Sequence, residues 1–211
     1  MRGWLRRNRV ALVILPVAVV LAASGNSSRL RDQWFDRGLH ERQQPGTDGV
    51  VHYVEHYDDR HLRYDITPAI RLLSLERTAT VTSEEGETVP ATLPDRAALW
   101  KVVLHWDVAP DVVMGVCHVG LAASDGRFWA PGYSRQFTAD VSQPLSPCVP
   151  SATPGPGAAI DQAVIQQPTD SGPRPQAYDT TVYVLTAGDA KPSEVRVWWF
   201  MPGYAALPVT S

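Results

Sequence analysis

Catalytic signatures are what this sequence most plainly lacks. It has no Gly-x-Ser-x-Gly, no glycine loop of the phosphate-cradling kind and no His-Glu-x-x-His, so the usual marks of a serine hydrolase, a nucleotide binder or a zinc protease are missing. Cysteine is scarce, with Cys117 and Cys148 as the only two in 211 residues. Neither stands directly after the N-terminal apolar block, which excludes lipid attachment at a bacterial lipobox. Positive charge is also scarce outside the N-terminus. Setting aside Arg2, Arg6, Arg7 and Arg9 leaves 15 basic against 22 acidic residues, a balance that argues against nucleic acid and anionic headgroups as partners. Lysine occurs only at 101 and 191.

What is present begins with an uncharged run at 10–28 whose strictly apolar part is 10–23. Nineteen helical residues would rise about 28 Å, near the roughly 30 Å of a bilayer's hydrocarbon layer, so the run reads as a transmembrane signal-anchor helix. Cleavage after Ala22-Ala23-Ser24, which would release a secreted protein, stays open as the alternative. In either case the arginines hold residues 1–9 as a cytoplasmic basic tail by the positive-inside rule, and the rest lies outside the cell membrane.

Residues 29–49 read as a juxtamembrane stalk, with Leu30, Trp34, Phe35 and Leu39 at roughly helical spacing and a turn cluster at 45–49. Residues 50–211 read as one extracytoplasmic β domain, since 18 Pro and 15 Gly beside seven Trp and seven Tyr suit short strands joined by turns. The spacing predicts a hairpin from 50–57 and 61–66 around Asp58-Asp59-Arg60. Along 70–82, Leu73, Leu75, Ala79 and Val81 share one face of a strand. A polar loop follows at 83–96. In 99–108 the inward face is Trp100, Val102, Leu104, Trp106 and Val108, with Lys101, His105 and Asp107 outward. A second hairpin joins 112–123 to 127–130 through Ser124-Asp125-Gly126, and strands at 180–186 and 194–200 close the fold. The proline-studded stretch 143–176 reads as a long mobile insertion.

Seven or eight such strands predict a mainly β chain built as an antiparallel sandwich. The strand at 70–81, the Trp-led strand at 100–108, Leu-x-x-x-Asp-Gly-Arg-x-Trp at 121–129 and Asp-Ala-x-Pro-Ser-x-Val-Arg-Val at 189–197 resemble the immunoglobulin-like exported domain of unknown function carried by short membrane-anchored proteins of actinobacteria. The resemblance implies fold and location and brings no catalytic residues. Trp100 and Trp106 precede both cysteines, whereas antibody-type domains place Trp between them.

Few residues here suggest chemistry. His52, His56 and His61 with Asp58 and Asp59 are the densest set of metal-capable side chains, yet strand neighbours four apart lie roughly 13 Å from each other, too far for one ion. They are expected to be polar residues of an edge hairpin. Cys117 and His118 point to opposite faces, which argues against a nucleophile and base pair, and two cysteines in an exported chain usually bond to each other. Of Trp198 and Trp199, alternation buries one and puts the other on the outer face, where a covering loop is the preferred reading over a ligand contact. No cofactor is expected and an enzyme is not favoured. The reading is a tethered module for a protein or envelope partner, the alternative an envelope metal-binding or hydrolytic protein using 52–61.

Overall fold

The computed structural model of the protein describes residues 8–25, 38–58, 62–83, 86–130, 137, 139, 146–159, 164–166 and 172–209. Among the described residues one helix, α1 (Arg9–Gly25), precedes fifteen short strands. These are β1 (Glu41–Gln43), β2 (Val51–His52), β3 (Glu55–Asp58), β4 (Arg63–Ile66), β5 (Ala69–Thr78), β6 (Thr80–Thr82), β7 (Thr88–Pro90) and β8 (Ala97–Asp107). They continue with β9 (His118–Ala123), β10 (Phe128–Trp129), β11 (Gly157–Ala159), β12 (Val164–Gln166), β13 (Ala177–Ala187), β14 (Pro192–Trp198) and β15 (Gly203–Pro208).

Two sheets carry the architecture, one ordered β1-β15-β14-β9-β10 and one ordered β13-β8-β5-β2. All pairings are antiparallel except β1 with β15. Strand alternation turns Val102, Leu104 and Trp106 of β8 and Val182 and Val184 of β13 to one side, where they meet Val119, Leu121, Val195, Val197, Ala205 and Leu207 of the other sheet in a single core. Trp106 Nε1 reaches out of that core to donate to Thr180 Oγ1 at 2.8 Å, so a large apolar ring is buried without orphaning its N–H. The sequence-predicted face of 99–108 is thus the face that is buried. Leu99 turns the other way, into a small second cluster with Val81 and Tyr183.

The structure corrects several expectations. The helix expected over 10–28 runs from Arg9 to Gly25, about 26 Å at 1.5 Å per residue, and no helix among the described residues is long and apolar enough to cross a membrane. Its end lies at a glycine, after Ser24 turns its hydroxyl back onto the Val20 carbonyl at 2.7 Å. Residues 26–28, and Leu30, Trp34 and Phe35 of the expected stalk, lie outside the described residues. The stalk's last part is not a stalk. Leu39 packs against Trp198, Tyr204 and Ala206, and β1 adds a strand to the five-stranded sheet. Glu41, Arg42 and Gln43 have no apolar alternation because β1 is an edge strand.

Leu73, expected inward, is 48% exposed because a bulge between Leu72 and Ser74 shifts the register, leaving Ile70 before it and Leu75 after it on the core side. The loop at 83–96 contains β7, paired with β6. The insertion at 143–176 is anchored in its described parts: Cys148 and Val149 join the main core, β11 pairs with β12, and Arg174 is fully buried. Its guanidinium donates to the carbonyls of Ala109, Val112 and Pro154 at 2.9, 2.8 and 3.1 Å. Last, β15 follows the strand expected to close the fold. It is buried on both faces between β1 and β14, so its Gly-Tyr-Ala-Ala-Leu-Pro sequence shows no alternation.

Candidate functional site

A hairpin forms at the histidines, but only from β3 and β4, with Asp58 in the ladder opposite Arg63 instead of in the turn, and its ligands are not gathered. His56 Nδ1 lies 2.7 Å from Asp65 Oδ1 across the ladder, and Arg63 Nε donates to Asp58 Oδ1 at 2.9 Å. His52 sits instead on β2 in the four-stranded sheet, 4.0 Å from Asp48. Asp59 and His61 lie outside the described residues. Among the described residues no three His, Cys, Asp or Glu side chains are grouped to hold a metal ion. The hydrogen bond to Asp65 and its charge raise the His56 imidazole above its ordinary value. Because the folded value is the higher one, the pair's contribution is full below the unfolded titration and fades as pH rises through the folded one. An NMR titration should place His56 above a free histidine, and Asp65→Asn should return it; an unchanged titration in that variant would show that Asp65 is not the cause.

Cys117 and Cys148 are joined in a disulfide with Cα atoms 6.0 Å apart, and His118 points to the opposite face. There it stacks on Trp198 at 5.3 Å, and burial lowers its imidazole below the ordinary value. A thiol nucleophile is therefore absent from this position. Trp198 is covered, as preferred from the sequence: Phe128 lies 5.8 Å away, Leu39 and Ala130 pack over the same cluster, and its relative exposure is 6%. Trp199 faces the main core, edge-on to Trp106 at 6.2 Å, and its indole N–H donates to the Met114 carbonyl. Arg196 completes the outer face, its guanidinium over Tyr204 at 4.7 Å and Phe128 at 5.4 Å, with Nε donating to Glu194 at 2.7 Å. That face is a satisfied minor core.

Exposed apolar side chains cluster at one end of the sandwich, while Leu73 and Phe128 are exposed elsewhere. Alternation in the β3–β4 hairpin puts His56, Asp58, Arg63 and Asp65 on one face and the cross-strand pair Tyr57 and Tyr64 on the other. Tyr57 stacks on Tyr64 at 4.8 Å and meets Phe200 at 4.9 Å. Phe200 and Met201 form the turn between β14 and β15, closed by a cis Met201–Pro202 bond, and are 38% and 47% exposed. Val116, in the loop entering β9, is 63% exposed, and its neighbour Gly115 lies against the Tyr64 hydroxyl. Beneath this surface Tyr53 donates to Glu55 at 2.6 Å, and burial pushes its phenol far above the ordinary range. Gly203 is closely approached here, a Cβ standing 3.0 Å from Glu55 Oε2, so that a side chain would make the carboxylate shift.

The same end receives the incoming chain. The Pro202 carbonyl accepts from the backbone N–H groups of His40 and Glu41, each at 3.1 Å, and β1 then runs parallel to β15 from Glu41 opposite Gly203. Phe200 follows the two tryptophans in the chain, yet local spacing does not join it to the tyrosine hairpin, because the two meet only through the fold. No family model, no curated protein and no solved structure gives a significant match to the chain.

Proposed function

We propose that the protein is an exported immunoglobulin-like sandwich, held at the outer face of the cell membrane by its N-terminal apolar segment and serving as a docking or assembly module for an envelope partner. The observation that carries this reading is the bare aromatic end of an otherwise well-covered domain. What sets this end apart from the single exposed Leu73 and Phe128 elsewhere is that its exposed apolar side chains adjoin, and contiguous surface of that kind marks protein or membrane contacts. Two further features support the location. The disulfide is buried in the main core, which suits an oxidising compartment, and arginines flank the apolar helix on its N-terminal side.

Membrane topology is the test. Protease added to intact spheroplasts should destroy the domain, while untreated full-length protein should stay with membranes through an alkaline carbonate wash. A domain protected until the cells are lysed would contradict the reading. Release with a new N-terminus near Ser24 would retain the export and remove the tether.

A further inference from the structure

The two ends of the sandwich differ in chemistry. At the far end, the β9–β10 turn exposes Ser124, Asp125 and Arg127, and the β13–β14 connection exposes Asp189 and Lys191, with Arg127 paired to both aspartates at 2.8 and 2.9 Å. At the near end the turns and loops expose Val54, Val116, Phe200 and Met201, beside the half-buried Tyr57 and Tyr64. Apolar side chains at loop tips, with tyrosine rings behind them, are what a lipid headgroup region accepts, since tyrosine offers an apolar body and a wet hydroxyl.

The path of the chain selects the occupant. Helix α1 ends at Gly25, and the described chain resumes at Gly38 immediately before β1, whose first residue pairs with Gly203 at the near end. An apolar helix in a membrane therefore feeds the chain into this end, which thirteen residue steps hold within about 45 Å of the lipid surface. Ion pairs flank the patch, His56 with Asp65 and Arg63 with Asp58, and Glu41 and Glu55 add negative charge beside Tyr53, which leaves apolar contact as the attraction and not recruitment by anionic lipid.

We infer that the near end of the domain sits in the lipid–water interface, with Val116, Phe200 and Met201 among the headgroups and Tyr57 and Tyr64 behind them, so that the charged far end points away from the membrane. This rests on the tethered reading above and names the membrane surface itself as the envelope partner that the aromatic end meets.

The experiment uses the full-length chain reconstituted into dioleoylphosphatidylcholine vesicles, with the native disulfide intact and one environment-sensitive fluorophore on Met201→Cys, on Val116→Cys or, as the far-end control, on Lys191→Cys. Both near-end probes should shift to the blue and lose most of their emission when the vesicles carry an acyl-chain spin label. Neither effect should weaken in high salt, and the control should behave as in water. Near-end probes that report water while the protein floats with the vesicles would overturn the inference and leave the tether standing. So would quenching that salt abolishes, or shielding from both water and spin label, which would mean a second protein copy covers the patch. A chain that leaves the vesicles in carbonate would instead contradict the tether itself. Two near-end positions on separate loops guard against one substitution disturbing the fold.

Discussion

Arg174→Ala is expected to lower the stability of the domain by about 2–4 kcal/mol, with a fall in melting temperature of roughly 5–15 °C for a chain of this size. The reason lies in how the proline-rich insertion is held. Its backbone is poor in donors, because each proline removes an N–H, and it has little apolar periodicity with which to pack. One guanidinium supplies what the segment lacks. It joins the Pro154 carbonyl, within the insertion, to the Ala109 and Val112 carbonyls of the loop between the two sheets. It also lies against Gly155, whose φ of +78° and 2.7 Å approach to Nη1 leave no room for a Cβ. Burial pulls the Arg174 guanidinium below its ordinary value, and nearby Tyr178 and Asp111 act in the opposite direction. Taking the cation out of water costs free energy, which is why the expected loss stays well below the sum of three charged hydrogen bonds. Thermal denaturation checks the size of the effect. Limited proteolysis should show the first cuts moving into 150–176, and a variant as stable and as resistant as the parent would mean that the three bonds hold nothing.

Loss of the disulfide should cost a similar amount. Cys117 and Cys148 are separated by 31 positions, and chain entropy assigns a loop of that length about 3–4 kcal/mol. The sequence suggests a bridge that merely ties an insertion to one strand, so that Cys148→Ser would leave the sandwich folded. The structure gives the bridge a more central place. Both cysteines are in the main core, Cys117 leads into β9 of the five-stranded sheet, and the Cys148 carbonyl accepts from the Tyr178 hydroxyl of β13 in the other sheet at 2.8 Å. Cys148→Ala, which adds no buried hydroxyl, is therefore expected to reduce the denaturation midpoint by the full entropic amount and to expose both the insertion and the β9 entry loop to protease. Combined with Arg174→Ala it should cost less than the two separate losses added together, because both contacts restrain the same segment. Strict additivity in a double-mutant cycle would contradict that shared role.

How far the sequence could be read depended on whether local pattern or distant contact decides each element. The strand through Trp100, Val102, Leu104 and Trp106 was legible because one buried face and one outer face impose a strict two-residue period. The same rule failed at Leu73, since a bulge adds a residue without changing composition, and at β15, where both faces are covered. It failed at β1 because a polar edge strand is defined by its partner alone. The disulfide was legible from the cysteine count and the expected export, while Arg174 was not, because one arginine in a proline-rich segment gives no sign that it will be fully buried. The aromatic end was half legible. The tyrosines pair across a hairpin that local spacing predicts, but Phe200 reaches Tyr57 only when β14 has been placed.

If the domain is exported, oxidised and still joined to its N-terminal segment, the intact mass of the protein isolated from native membranes, measured with and without alkylation of free thiols, will show it. The predicted result is the full chain with no alkylated cysteine before reduction and two after it. Two alkylated thiols without reduction, or a mass that has lost the residues before Ser24, would contradict it.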